Sequence, residues 1–297
     1  MNKIRWIFMS CLPVLLLMVL TGCGGGSEKA EEDISSLGFR SYELGSIEDM
    51  DTVLGVTHYG SDIIVFGGTE GGTIYKFTSA DGTAWEKKEV STGIAEASGT
   101  VNIQFVDLDE NGSMVAGYEV IGNDGAAESC GIWKEDTGDS VQLDISGIEG
   151  MSCSKDKTYI YDGDKIIAYG KDVSSELFSI KVSGIVDFCA GEKELAVLDA
   201  NGITIYNTEN GDKTETDSTF TEHYIDKIKK TQQSLDSEAL SCRQVIKYIS
   251  ETKICLALED GIYTYDLAKK ETECLLNHTE DGYMTASDVL YGYVVEG

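Results

Sequence analysis

The residues best spaced to do chemistry are Asp107-Leu108-Asp109-Glu110-Asn111-Gly112. Carboxylates at alternate positions ahead of Asn-Gly are how the opening of a calcium loop gathers oxygen ligands around a sharp turn. Asp107, Asp109 and Asn111 would supply those ligands, but the glutamate that closes such a loop at its twelfth position is Tyr118 here, with Glu119 one step late. The same stretch lies between apolar segments at 101–106 and 113–116, so an Asx-type hairpin turn is the cheaper expectation and calcium the costlier one. His58, His223 and His278 are far apart, with no His-x-x-His or His-Glu-x-x-His spacing, so zinc hydrolysis has no ligand set. No Gly-x-Ser-x-Gly elbow occurs. Gly67-Gly68-Thr69-Glu70-Gly71-Gly72 is followed by neither Lys-Ser/Thr nor a helical pattern, and reads as a turn rather than a phosphate cradle. With 52 Asp and Glu, a glycosidase pair can always be drawn, and the sequence singles out none. The expectation is therefore no catalytic residue, no resident cofactor and no enzyme.

The elements that would position any site come from the charge and the repeat. After residue 22 the chain carries 21 Lys and Arg against 52 Asp and Glu, a balance of −31 that repels phosphate backbones and excludes nucleic acid as a partner. Its 33 glycines and single proline, Pro13, leave the body to turn on Gly, Asn and Asp. Eight Asn-Gly or Asp-Gly steps, starting at 81, 111, 124, 162, 201, 210, 260 and 281, separate short apolar runs in the way tight hairpins require.

The clearest unit is Glu194-Leu-Ala-Val-Leu-Asp-Ala-Asn201-Gly202-Ile-Thr-Ile-Tyr206, and Lys253-Ile-Cys-Leu-Ala-Leu-Glu-Asp260-Gly261-Ile-Tyr-Thr-Tyr265 is its close relative. Taking the aromatic at the end of the second run as a marker gives Tyr75, Trp133, Tyr169, Tyr206 and Tyr265, at intervals of 58, 36, 37 and 59. An inner segment precedes each pair (as at 101–106, 186–190 and 245–249), and an outer one follows about ten residues past the marker, near Trp85, Leu143, Phe178, Thr216 and Leu275. Four strands per unit, apolar on both faces, must be shielded by a neighbour on each side, which a closed ring provides. The fold expected is all-β, a β-propeller of about six four-stranded blades over 38–297, the sixth incomplete, so that either the last blade is small or this chain is the front part of a longer protein. Residues 39–44 would lend that blade an outer strand, and the markers are expected to pack between blades. A short helix is expected near 220–235, docked by Tyr224, Ile225 and Ile228.

Residues 1–22 have Lys3 and Arg5, then an apolar run, then small residues before Cys23, the layout of a secretory signal. Leu20-Thr21-Gly22-Cys23 resembles the lipobox of bacterial lipoproteins, which implies diacylglycerol on Cys23 and cleavage ahead of it. Residues 23–37, Gly-rich and then acidic, read as a flexible tether to the cell membrane. Of the remaining cysteines (Cys130, Cys153, Cys189, Cys242, Cys255 and Cys274), several sit in apolar runs, so buried thiols are favoured over disulfides.

Ser79-Ala80-Asp81-Gly82-Thr83-Ala84-Trp85 resembles the Asp box of sialidase-type propellers, in which it is a structural turn. A sialidase itself needs three arginines for its substrate carboxylate, and only Arg40 and Arg243 follow Cys23. Lipobox, tether and blades ending in Tyr-Asp or Trp-Lys together resemble surface lipoproteins of Gram-positive anaerobes, some of which join a propeller to a solute-binding domain that feeds an ABC importer. The resemblance implies an extracytoplasmic, lipid-anchored, non-catalytic binding protein whose ligand is a carbohydrate, peptide or protein. An ABC permease is a partner only if a solute-binding domain follows. The alternatives are an envelope-assembly scaffold, for which Tyr265-Asp-Leu-Ala-Lys-Lys-Glu-Thr is a loose match to pyrroloquinoline-quinone-like repeats, and a propeller hydrolase or lyase.

Overall fold

The computed structural model describes Ile7–Ser10 and Arg40–Glu43 and then most of residues 52–277. Outside the described residues lie 69–73, 81–83, most of 91–99, 200, 259–260, 278–297 and all of 218–244 except Phe220 and Asp226.

Strands β1 (Ile7–Ser10) and β2 (Arg40–Glu43) form a two-stranded antiparallel sheet. Residues 39–44 were expected to edge a sixth blade, and Arg40–Glu43 pairs with Ile7–Ser10 instead. The twenty strands that follow make five four-stranded antiparallel sheets, each in chain order, which are the blades of a β-propeller. Blade 1 is β3 (Thr52–Tyr59), β4 (Asp62–Gly68), β5 (Ile74–Ser79) and β6 (Glu86–Val90). Blade 2 is β7 (Thr100–Leu108), β8 (Met114–Ile121), β9 (Ala127–Lys134) and β10 (Ser140–Leu143). Blade 3 is β11 (Gly150–Ser154), β12 (Lys157–Tyr161), β13 (Lys165–Tyr169) and β14 (Glu176–Lys181). Blade 4 is β15 (Ile185–Ala190), β16 (Glu194–Asp199), β17 (Gly202–Asn207) and β18 (Lys213–Asp217), and blade 5 is β19 (Ile246–Tyr248), β20 (Lys253–Leu258), β21 (Gly261–Asp266) and β22 (Glu271–Asn277).

The period of two builds the ring. Met114, Ala116 and Tyr118 of β8 pack with Ile64 and Phe66 of blade 1, while the intervening Val115 packs with Ile160 and Ile167 of blade 3. Leu195 and Val197 likewise face blade 3, and Ala196 and Leu198 face blade 5. The second strands of blades 2, 3 and 4 are thus walls shared by two cores. The outermost strands are different: four of the five residues of β6 (Glu-Lys-Lys-Glu-Val) and of β18 (Lys-Thr-Glu-Thr-Asp) are exposed, and charge on the rim discourages pairing with another chain.

First strands stand side by side in the order β3, β7, β11, β15, β19, so they line the axis. At the β3–β7 boundary a side chain on Gly55 would sit 3.0 Å from the Val106 carbonyl, so glycine permits the approach. Among the described strands β19 and β3 do not adjoin in the same way. The faces that blades 5 and 1 turn toward this seam are nonetheless buried, with Ala257 and Ile262 at 5% and 1% exposed and Ile63 and Val65 at 3% and 0%. Residues 278–297, expected to contribute a partial sixth blade, lie outside the described residues.

Five of the Asn-Gly and Asp-Gly steps place their glycine at positive φ (Gly112, Gly125, Gly163, Gly202 and Gly211). The marker of blade 1 was four residues early: Tyr206 and Tyr265 pair with the second residue of the preceding strand, and the residue that does so in blade 1 is Ser79, not Tyr75. In the insertion Phe220 and Asp226 are helical, and Phe220 packs on Tyr265 with ring centres 5.2 Å apart; Tyr224, Ile225 and Ile228 lie outside the described residues.

Candidate functional site on the ring axis

Each first strand ends in a hairpin closed by Tyr59, Asp109, Ser154, Gly191 or Ile249. Two residues before that closure stand Thr57, Asp107, Ser152, Cys189 and Lys247, one per blade. They form a polar belt around the axis inside an otherwise apolar stack, and belt members reach to the next blade. The Asp107 carboxylate accepts the amide of Cys153 at 2.8 Å, and the Ser152 hydroxyl accepts the amide of Ala190 at 3.0 Å. Both donors sit one residue before their own hairpin closure, so one contact recurs at two successive boundaries.

Lys247 breaks the pattern, because an ammonium has no lone pair to offer an amide. Its Nζ crosses the axis to Asp107 Oδ1 at 3.4 Å, with side-chain exposures of 27% and 6%. The other Asp107 contact is its own strand, through the amide of Leu108 at 2.9 Å. Asp187, two residues before Cys189, accepts the amides of Phe188, Val245 and Ile246 at 2.8, 2.6 and 3.0 Å. Enclosure of its carboxyl nevertheless pushes it up to about 7, outweighing those three amides and the pull of Lys247. His58 has a buried Nδ1 without a partner, and burial followed by the charge of Lys247 lowers its pKa against the opposite pull of Asp107. Burial raises the thiols of Cys153 and Cys189, with Asp107 adding to the first and Asp187 to the second. These are protonated thiols, and not nucleophiles.

In an antiparallel meander the turns from first to second strand and from third to fourth lie at one end of the ring. Tyr59, 49% exposed, is the large aromatic that this hairpin-tip face offers to solvent among the described residues. Its ring lies on Gly112 (φ 75), where an added side chain would come within 2.7 Å. Ion pairs knit the tips: Lys155 to Glu192 at 3.2 Å, Lys193 to Glu251 at 3.5 Å and Lys171 to Glu110 at 3.7 Å. A separate cavity of about 250 Å³ lies between blades 4 and 5, where Glu194, Glu215 and Asp217 meet Ile205 and Leu267. Burial, then Glu215, raises Glu194, while Lys270 pairs with Glu215 and the Tyr265 hydroxyl donates to Asp217.

The structure separates the calcium-loop residues. Asp107 serves the belt, whereas Asp109 Oδ1 accepts the amides of Asn111 and Ser113, both at 2.9 Å, which is the Asx turn of a hairpin tip. Among the described residues no group of three or more His, Cys, Asp or Glu is placed to hold a metal ion. Cys130, Cys189 and Cys255 are buried and Cys153 is half-buried, but Cys274 is exposed, against the expectation of burial. Cys242, Arg243 and Cys23 lie outside the described residues, and Arg40 is in β2. Trp133, Tyr169 and Tyr265 are 2%, 8% and 1% exposed, as inter-blade packing requires, and the Asp-box stretch joins β5 to β6. Sequence reasoning missed Lys247, Asp187 and Tyr59. For Lys247 the available signal was its place two residues before the closure of a first hairpin.

No known family profile matches the sequence, and no curated protein matches it. Among solved structures it is similar to PorZ, a bacterial surface component of the type-IX secretion system of Porphyromonas gingivalis, with 12% identity and a TM-score of 0.46 over 77% of this chain. The match spans 28% of PorZ. It is also similar to the C-terminal WD40 domain of Sif2 (11% identity, TM-score 0.44) over 78% of this chain and 74% of that one. A chain of the mitotic checkpoint complex matches at 10% identity and a TM-score of 0.45, over 79% and 74%. At these identities the likeness concerns the fold alone.

Proposed function

We propose that this chain is a lipid-anchored, non-catalytic binding protein outside the bacterial cytoplasm, tethered through Cys23 and offering the hairpin-tip face of its ring to a carbohydrate, peptide or protein ligand. The observation that carries the reading is the contrast between axis and rim. The axial carboxylates are occupied by the ring itself, Asp107 by Cys153 and Lys247 and Asp187 by three amides, which leaves neither free for acid or base work. Tyr59, by contrast, lies exposed on a rigid hairpin tip, the kind of platform on which a sugar face or peptide side chain is held.

The lysines of the hairpin-tip face are tied to neighbouring acids, so recognition there rests on aromatic and hydrogen-bonding contacts rather than net attraction. The acidic tether and body repel anionic headgroups, which keeps the ring off the membrane that anchors it. Mass spectrometry of the mature N-terminus tests the anchor. A diacylglyceryl-modified Cys23 as first residue is expected, and a soluble protein that retains Met1 would refute the reading.

A further inference from the structure

One face of the Tyr59 ring is taken. The position that a side chain on Gly112 would occupy lies 2.7 Å from Cγ of the ring and 2.8 Å from each Cδ, and near-equal distances to three contiguous ring atoms put it above the ring plane rather than at its edge. The ring therefore lies flat on the backbone of Gly112, at the tip of the β7–β8 hairpin, where any larger residue would push it off. Blade 1 grips the same glycine a second time, because Lys76 of β5 donates from Nζ to the Gly112 carbonyl at 3.0 Å. The tip is closed by Asp109, whose carbonyl accepts the Gly112 amide at 3.0 Å and whose carboxylate accepts the amides of Asn111 and Ser113. Seated in this way Tyr59 is still 49% exposed, which leaves the opposite ring face and the hydroxyl edge to solvent. The result is a preorganised stacking platform with one usable face, and the exposed Asn111 stands next to its seat.

We infer that Tyr59 is the stacking residue of a subsite for a neutral pyranoside, with Gly112 as its seat, Lys76 holding that seat, and Asn111 offering a carboxamide to the sugar's hydroxyls. The inference rests on the binding reading above and narrows its ligand. The platform stands on hairpin tips with half of Tyr59 in water, so whatever stacks there keeps its outer side wet. An apolar peptide side chain gains little from cover on one side only. A pyranose with equatorial hydroxyls loses nothing: its axial C–H bonds present a weakly positive face to the negative face of the phenol, and its hydroxyls remain hydrated at the rim. Charge selects against acidic sugars, because the chain is strongly acidic and Lys155, Lys171 and Lys193 on this face are already paired with Glu192, Glu110 and Glu251.

The test is saturation-transfer NMR of the full chain with cellohexaose, xylohexaose and mannohexaose, and with an oligogalacturonate of the same length. For at least one neutral sugar, the hydrogens of one ring face should receive at least about twofold more saturation than those of the other. Tyr59→Ala should weaken its binding at least about tenfold, while Tyr59→Phe, which keeps the ring, stays within about threefold. Gly112→Ala keeps the aromatic and displaces it, and should cost at least about fivefold. If Gly112→Ala does not fold, the Tyr59 variants decide, since they change a side chain that is half exposed. Equal saturation of both faces, binding indifferent to Tyr59→Ala, oligogalacturonate held as tightly as the neutral sugars, or no neutral sugar bound would each overturn the subsite. A peptide held through Tyr59 in place of sugar would overturn the ligand class and leave the binding reading standing. No ligand of either class held through Tyr59 would overturn both.

Discussion

The amide of Cys153 and the carboxylate of Asp107 meet at 2.8 Å across the boundary between blades 2 and 3. One blade further on, the hydroxyl of Ser152 does the same for Ala190. The two acceptors have the same place and different chemistry, which separates their costs. Asp107→Ala strands the amides of Leu108 and Cys153 and removes a carboxylate 3.4 Å from the Lys247 ammonium, so a loss of about 3 kcal/mol is expected. Ser152→Ala strands an amide alone, at about 1 kcal/mol. Urea denaturation of both variants checks the order, and equal losses would show that the charge and second amide of Asp107 contribute nothing beyond the shared boundary contact.

Asp187 gives stability a definite pH dependence. Its folded value of about 7 lies above that of an unfolded carboxyl, about 4. The contribution is therefore complete below about pH 4 and is lost as pH rises through about 7. Asp187→Asn removes this dependence, and its stability relative to the unmodified protein should improve by on the order of 1–3 kcal/mol between about pH 5 and 8. Denaturation midpoints across that range measure it, and parallel curves for the two proteins would contradict it.

The turns from third to fourth strand in blades 2, 4 and 5 share one form, with Gly138 donating to Lys134, Gly211 to Asn207 and Lys270 to Asp266. All three donors have positive φ, at 71, 74 and 59 degrees. A side chain on Gly138 would meet nothing within 4 Å, whereas one on Gly211 would strike Phe178 at 2.6 Å. Gly138→Ala should cost about 1 kcal/mol for backbone conformation alone and Gly211→Ala about 2–3 kcal/mol, read as the larger fall in thermal midpoint.

The thiols should sort by place. Cys274 is exposed, while Cys130, Cys189 and Cys255 are buried. Iodoacetamide on the native protein should alkylate Cys274 first and leave the buried three until the ring unfolds, with peptide mass spectrometry as the readout. Early labelling of Cys189 would mean that the belt opens in the native state.

The blades were legible because hairpin chemistry is local. Asn201-Gly202 and Asp260-Gly261 lie between apolar runs, and those runs are the paired β16–β17 and β20–β21. Tyr75 misled as a marker because aromatic type alone does not fix register, and its partner is Gly67, far along β4. The axis was illegible for a different reason. Thr57, Asp107, Ser152, Cys189 and Lys247 are unlike in type and distant in sequence, and only the ring makes them neighbours. Asp107 even drew attention as a calcium ligand, because the sequence places it beside Asp109 while the strand directs the two carboxylates to separate amides.

The most direct measurement is retention without turnover. The mature protein is incubated with an immobilised panel of polysaccharides and peptides, and both bound protein and released fragments are followed over time. Saturable retention on at least one of them, no soluble product, and roughly tenfold weaker binding by Tyr59→Ala are predicted. Fragments that accumulate with time, or binding indifferent to Tyr59, would contradict a non-catalytic ring that binds through its hairpin tips.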